Sequence, residues 1–265
     1  MFVQMYLEPN DTERIKEIFS RLNKNSYNLN KIEKQSSQLV EYDYMTISKI
    51  ATGMISSEDL TSYVSEIDEL FASDEEDGVE VSIDEVKETI SPKVLEVVRP
   101  ENVSNIIELF TSDRVFTEYE RQRQVSLQYF LNIFTCIVKD EFINRNAKES
   151  EIIELSKIED YSIQSHLEKY NNICGNIITI YDSGKLDSFW KTKTSFFTLS
   201  VVFSKLDNTI LDNLESIMKV LVEFKNSDTS KWKEYNECST KDANGKTNRE
   251  KRSQILERTL VDKLN

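Results

Sequence analysis

The sequence predicts a mainly α protein, a helical bundle with one short strand at its N-terminus. Three observations carry that expectation. Glycine and proline are scarce, five and three in 265 residues, which disfavours the turn-rich chemistry of an all-β fold. Apolar residues recur at i, i+3, i+4 and i+7 through most of the chain, the stripe of an amphipathic helix. Only residues 2–7, FVQMYL, read as a strand, bounded by Pro9. A lone strand is not stable without a sheet to join, so its partners are missing or belong to another chain.

Each element has its own signal. Asp11 or Thr12 caps a helix carrying Ile15, Ile18, Phe19 and Leu22. That helix stops near Asn23 and Asn25, which favour turns over helix. Asn28 or Asn30 then caps the next helix before Ile32, and Arg21 at the corner is placed to pair with Glu33. Ile47, Ile50, Ala51, Met54 and Ile55 form one stripe. Leu60, Tyr63, Val64, Ile67, Leu70 and Phe71 form another after the Ser56-Ser57 cap signal. Val103, Ile106, Ile107 and Phe110 follow Pro100. Thr117-x-x-Glu120 is a capping box, expected to open one long helix through Leu127, Leu131, Phe134 and Val138.

Further on, Ile163, Leu167, Tyr170, Cys174, Ile177 and Tyr181 alternate at spacings of four and three, with Gly184 as the stop. Residues 195–203, SFFTLSVVF, are apolar nearly all round and predict the most buried helix. Leu211, Leu214, Met218, Leu221 and Val222 predict one helix. A last helix from about Asn248 turns Ile255, Leu256 and Leu260 inward. Between 68 and 98 the chain becomes strongly acidic and carries Gly78; this reads as an inserted surface element, with a short helix after Ser82.

Composition narrows the function classes. The net charge of -14 is not a footprint for nonspecific binding to nucleic acid or anionic membranes, although a local basic patch escapes that argument. No window approaches 18 apolar residues, so no transmembrane helix is expected, and the N-terminus lacks the pattern of a signal peptide. Cys136, Cys174 and Cys238 are an odd, scattered set without C-x-x-C, which suits a reducing cytoplasm and argues against a thiolate zinc site.

The candidate chemistry is thin. His166 is the single histidine, so neither a His-metal pair nor a hydrolytic triad has context; a structural or surface role is expected. Aligning Gly78 with the turn glycine of a calcium loop puts Ser73, Glu75, Asp77 and Asp84 at ligand positions, but the first and last residue types are wrong. The glycines are isolated, so no phosphate-cradling loop is present. The best basic patch is KDANGKTNREKRSQILERTL, with Arg249 and Arg252 three apart and Lys251 and Arg258 nearby. Two readings stand: a helix with its charges outward, or arginine forks on phosphate oxygens.

Five blocks, in order, suggest a family. EIFSRLNKNSYNLNKIE (17–33) resembles an "IF-x-RLN … L-x-x-x-E" signature through Arg21, Leu22, Asn23, Leu29 and Glu33. ENVSNIIELFTSDRVFTEYERQRQVSLQYFLNIF resembles a helix pair with an arginine, Arg121, at the second start. EFINRN (141–146) is similar to "YFNRN", FWKTKTSFFTL (189–199) to "IWFKKTDFFTL", and TNREKRSQIL to a terminal "R-x-x-R" helix. Together they resemble the GmrSD-type restriction endonuclease N-terminal domain family over most of 1–71 and 99–265. The departures are as informative. The family's "DGQQR" motif, implicated in nucleotide hydrolysis, would precede FVQMYL; no HNH-type nuclease domain follows; and an Arg-Met-x-Asp pattern is reduced to Arg121-Gln-Arg-Gln124.

The resemblance implies that residues 1–30 are a remnant of a ParB-like α/β domain, with FVQMYL the last strand of its sheet, and that 31–265 form a helical domain with an acidic insertion at about 68–98. It implies a truncated or split phage-defence protein, non-catalytic by itself, that needs a ParB-like partner carrying the missing motif. The alternative is a stand-alone DNA-binding helical module. Carried over residue by residue, the candidate nucleic-acid or partner contacts are Arg21, Asn23, Glu33, Arg121, Arg145, Lys193, Arg249 and Arg252. No catalytic residue, metal or cofactor is expected.

Overall fold

The structure, a computed structural model, describes residues 29–55, 92–158, 160–227 and 229–264. Strand 2–7, the 11–22 helix, the 60–71 stripe, the acidic segment up to 91, and with them Arg21 and Asn23, lie outside the described residues. The described residues are mainly helical and contain no strand.

Helix α1 (Lys31–Gln38) starts where expected: the Asn30 side chain accepts from the Glu33 amide, and the Glu33 carboxylate accepts from the Asn30 amide. These two bonds satisfy donors that a helix start leaves orphaned. Helix α2 (Asp43–Ala51) buries Ile47, Ile50 and Ala51. It ends before Met54, which is exposed, because Gly53 takes φ +68 against Ile107 and Thr111. Helix α3 (Pro92–Val97) falls at the C-terminal edge of the expected acidic insertion, and there Val94, Val97 and the following Val98 are buried.

Helices α4 (Pro100–Thr111) and α8 (Asp160–Asp182) pack along each other. Their contact is tight at Gly175, where an added Cβ would come 2.9 Å from Asn105 Nδ2. Buried Asn171 locks the pair. Its Oδ1 accepts from the amides of Asn105 (2.8 Å) and Ile106 (3.2 Å), and its Nδ2 donates to Glu101 O (3.0 Å). All six predicted stripe residues of α8, from Ile163 to Tyr181, are buried.

The Thr117 capping box forms, but it opens only the five-residue α5 (Glu118–Gln122). The expected long helix is interrupted: Gln124 adopts φ +56, and α6 (Val125–Lys139) starts afresh. Contacts from α1 hold the break. Asn30 Nδ2 donates to Arg123 O, Ser36 Oγ donates to Gln124 Oε1, and Glu33 pairs with Arg123 at 3.2 Å.

Helix α7 (Glu149–Leu155) follows a loop. Helix α9 (Lys193–Phe203) is the most enclosed, with every residue from Ser195 to Phe203 buried, as its all-round apolarity predicts. The single helix expected over 211–222 is two, α10 (Asn208–Leu211) and α11 (Leu214–Asn226), because Asn213 leaves helical geometry and caps α11. Helix α12 (Ser230–Thr240) and α13 (Lys246–Leu264) close the chain. An aromatic cluster of Phe110, Phe116, Phe130, Phe134 and Phe196 joins α4, α6 and α9. A second, of Phe189, Trp190, Phe224, Trp232 and Tyr235, seats α12.

Candidate functional site

The candidate residues of the C-terminal helix are placed by helical phase. On α13, positions 249, 252, 253, 256 and 260 share one face, and that face meets α9, α11 and α12. Arg249 and Arg252 are therefore enclosed, at 1% and 0% exposure. This corrects the outward-facing expectation. The long apolar stems go where Leu256 and Leu260 go, and the guanidinium heads find partners inside.

Those partners are mostly backbone carbonyls. Arg249 Nη1 donates to Ile143 O at 3.2 Å, and its guanidinium lies 4.3 Å from the centre of the Phe197 ring, a cation–π contact. Arg252 Nη1 donates to Cys238 O (2.7 Å) and Ala243 O (2.8 Å), and its Nε to Thr198 Oγ1 (3.2 Å). Arg252 thus ties the end of α12 and the following turn to α9, while Arg249 ties in the 141–146 loop. Among the described residues no carboxylate pairs with either. Arg249 Nε and Arg252 Nη2 remain without hydrogen-bond partners. Burial pulls the Arg249 guanidinium down to about 10 and lowers that of Arg252; both stay protonated at neutral pH. Burial also pushes the Tyr129 phenol up, opposed by these two arginines beside it.

The other candidates are spread over the surface and locally paired. Arg121 donates to Phe116 O and to Asp113 Oδ1 (2.9 Å), holding the turn before α5. Lys193 pairs with Glu120 at 2.6 Å. Burial pushes the Glu120 carboxyl up, but the hydrogen bonds from Lys193 and the Thr117 amide outweigh it and leave it below the usual range. Glu33 is shared between its capping box and Arg123. Arg145, in a left-handed turn at φ +61, is exposed and reaches Asp242 at 3.3 Å. Glu120 and the arginine pair act through their charges on Tyr129, and Lys193 reaches Glu120; among the described residues no common site unites them with Glu33 or Arg145.

His166 is half-buried, with Nδ1 2.6 Å from Ser162 O. The cysteines are buried free thiols. Burial pushes Cys136 up to about 11 and Cys174 higher still, so neither is a ready thiolate at neutral pH. Among the described residues no three His, Cys, Asp or Glu side chains gather as a metal-binding group, and no helix is long and apolar enough to cross a membrane.

Two open cavities share the Asp140–Lys205 pair, and one of them runs along α13. One, of about 450 Å³, is lined by Asp140, Glu141, Phe142 and Lys205 facing Lys246, Glu250, Ser253, Gln254 and Glu257. The other, of about 440 Å³, shares Asp140 and Lys205 and adds His166 and Lys169. The sequence carries no signal for these, because each cavity's walls come from three segments far apart in the chain. Phe197, Thr198 and the carbonyls under the arginines were equally silent. The phase of Arg249 and Arg252 was not: both lie on the face of Leu256 and Leu260. Comparison of the chain with family models, with curated proteins and with solved structures finds no match.

Proposed function

We propose that this chain is the helical, non-catalytic part of a GmrSD-like phage-defence assembly, an accessory or interaction subunit that works with a ParB-like partner. The observation that supports it best is the fate of the cations. Arg249, Arg252, Arg121 and Lys193, which the resemblance nominates, are each engaged with groups of the chain itself. Arg252 and Lys193 fasten one helix to another, Arg249 fastens α13 to the 141–146 loop, and Arg121 holds the turn before its own helix. A phosphate contact at Arg249 or Arg252 would require α13 to lift from α9 and α12, breaking four hydrogen bonds. That cost weighs against the DNA-binding alternative, as does the net charge of -14.

The test is co-purification of the tagged full-length chain from its native cells, followed by sequencing of what is retained. Recovery of a partner carrying DGQQR, in stable stoichiometry, supports the proposal. Nucleotide hydrolysis or DNA cleavage by the purified chain alone contradicts it. So does DNA binding that weakens with salt and is lost when Arg249 and Arg252 become alanine in a protein that remains folded.

A further inference from the structure

We propose that the groove between the outer face of α13 and the 140–142 turn is a docking site for a basic peptide segment of another protein. Lysine or arginine side chains would be taken between Glu250, Glu257 and Glu141. The charge pattern around α13 points there. On its other flank the carboxylates are paired: Glu234 with Lys251 at 2.6 Å, Glu223 with Lys263 at 2.9 Å, Asp262 with Lys231 at 3.4 Å. Around the groove, Asp140 is held by Lys205 at 2.7 Å. Glu250 and Glu257 have no ion-pair partner among the described residues, and Glu141 has only a longer-range charge contact with Lys139, although all three line the same cavity of about 450 Å³.

A second, independent observation marks the floor. Ser253 is 1% exposed, it lines this groove, and its hydroxyl has no hydrogen-bond partner. A buried hydroxyl left unpaired costs about 1–3 kcal/mol, and a donor entering the groove would relieve it. The opposite wall already shows the kind of contact expected, since the Lys205 ammonium lies 5.7 Å from the centre of the Phe142 ring. The one wall cation without a described partner, Lys246, stands at the far end, one turn beyond Glu250.

Spacing favours an extended chain. Glu250 and Glu257 lie on one face of α13 seven residues apart, roughly 10 Å along the axis. Side chains three residues apart in a polyproline II segment are separated by about 9 Å. The fitting sequence has two basic residues at i and i+3, with the net charge of -14 drawing it in. The inference does not depend on a ParB-like partner, because a synthetic peptide probes the groove itself.

The experiment is fluorescence anisotropy of a short labelled peptide with two arginines three positions apart, titrated with the full-length chain. Saturable binding that weakens with added salt is expected. Glu250→Gln with Glu257→Gln should weaken it about tenfold, the scale of two partly exposed charge contacts, and Ser253→Ala by a smaller factor. Glu108→Gln with Glu118→Gln removes the same charge from α4 and α5, which line neither cavity, and should leave affinity within about twofold. The proposal is overturned by absence of saturable binding, or by equal weakening in both double variants, which would show a general attraction to an acidic protein. Complete displacement of the peptide by equimolar spermidine would also overturn it, showing a site for small polyamines. Glu250 and Glu257 have no ion-pair partner among the described residues, so circular dichroism of their double variant should match the parent.

Discussion

The two faces of α13 have opposite characters, and the distribution is the reverse of what charge alone suggests. The inner face buries two arginines, the groove side carries Glu250 and Glu257, and both are read from one polar sequence, NREKRSQILER. The inner cations are stable because each has a long apolar stem, an aromatic or hydroxyl neighbour and a backbone carbonyl, from the 141–146 loop for Arg249 and from the end of α12 for Arg252. Glu250 and Glu257 on the groove side are half-buried and have no ion-pair partner among the described residues. Helical phase, more than residue polarity, decides which side is which. A guanidinium serves the inside better than a carboxylate because carbonyl oxygens at a helix C-terminus carry partial negative charge.

The largest effect should come from breaking the inner face. Arg252→Ala removes three hydrogen bonds and strands the Cys238 and Ala243 carbonyls, for a loss of about 3–5 kcal/mol in urea unfolding. Arg249→Ala forfeits one hydrogen bond and the Phe197 contact, and should cost about 2–3 kcal/mol. Lysine at 252 should recover only part of the loss, since a point charge cannot reach two carbonyls and a hydroxyl together.

Away from α13, Asn171→Ala should cost about 2–4 kcal/mol, because it removes three hydrogen bonds and the buried side chain that makes them from the α4–α8 contact. Gly53→Ala should cost about 1–2 kcal/mol: the residue has φ +68, and a Cβ there would come 2.4 Å from Thr111 Cγ2. On the outer face of α13 the double glutamine change at 250 and 257 should shift stability by less than about 0.5 kcal/mol.

The smallest effect is one of pH. The Arg114 hydrogen bond holds the Asp182 carboxyl below its ordinary value, and the Glu120 carboxyl is also low. A carboxyl depressed in the folded state stabilises it above the ordinary carboxylate range and loses that contribution as pH falls through the folded value. Stability should therefore be flat near neutrality and decline in the acid range. Arg114→Met should flatten that decline slightly, as expected for an exposed pair.

The sequence was legible where burial followed apolarity. The α8 stripe and the all-apolar α9 are where periodicity put them, and Asn30 and Thr117 cap as their spacing demands. It was illegible where tertiary contacts override local preference. Nothing local marks the break at Arg123–Gln124, which depends on Asn30, Glu33 and Ser36 from α1. The start of α3 was hidden by its acidic neighbours, and α12, SKWKEYNECST, buries only Tyr235 and Cys238. For the candidate residues, type and spacing were visible but orientation was not, because a charged residue was not counted toward the buried face.

The most direct test is chemical. Phenylglyoxal labelling of the native protein, mapped by mass spectrometry, compares Arg249 and Arg252 with the exposed Arg145 and Arg258. If the buried pair fastens α13 to α9 and α12, Arg145 and Arg258 label at once, while Arg249 and Arg252 label only as the protein unfolds. Labelling of all four at the same rate under native conditions would contradict the inward placement on which the functional reading depends.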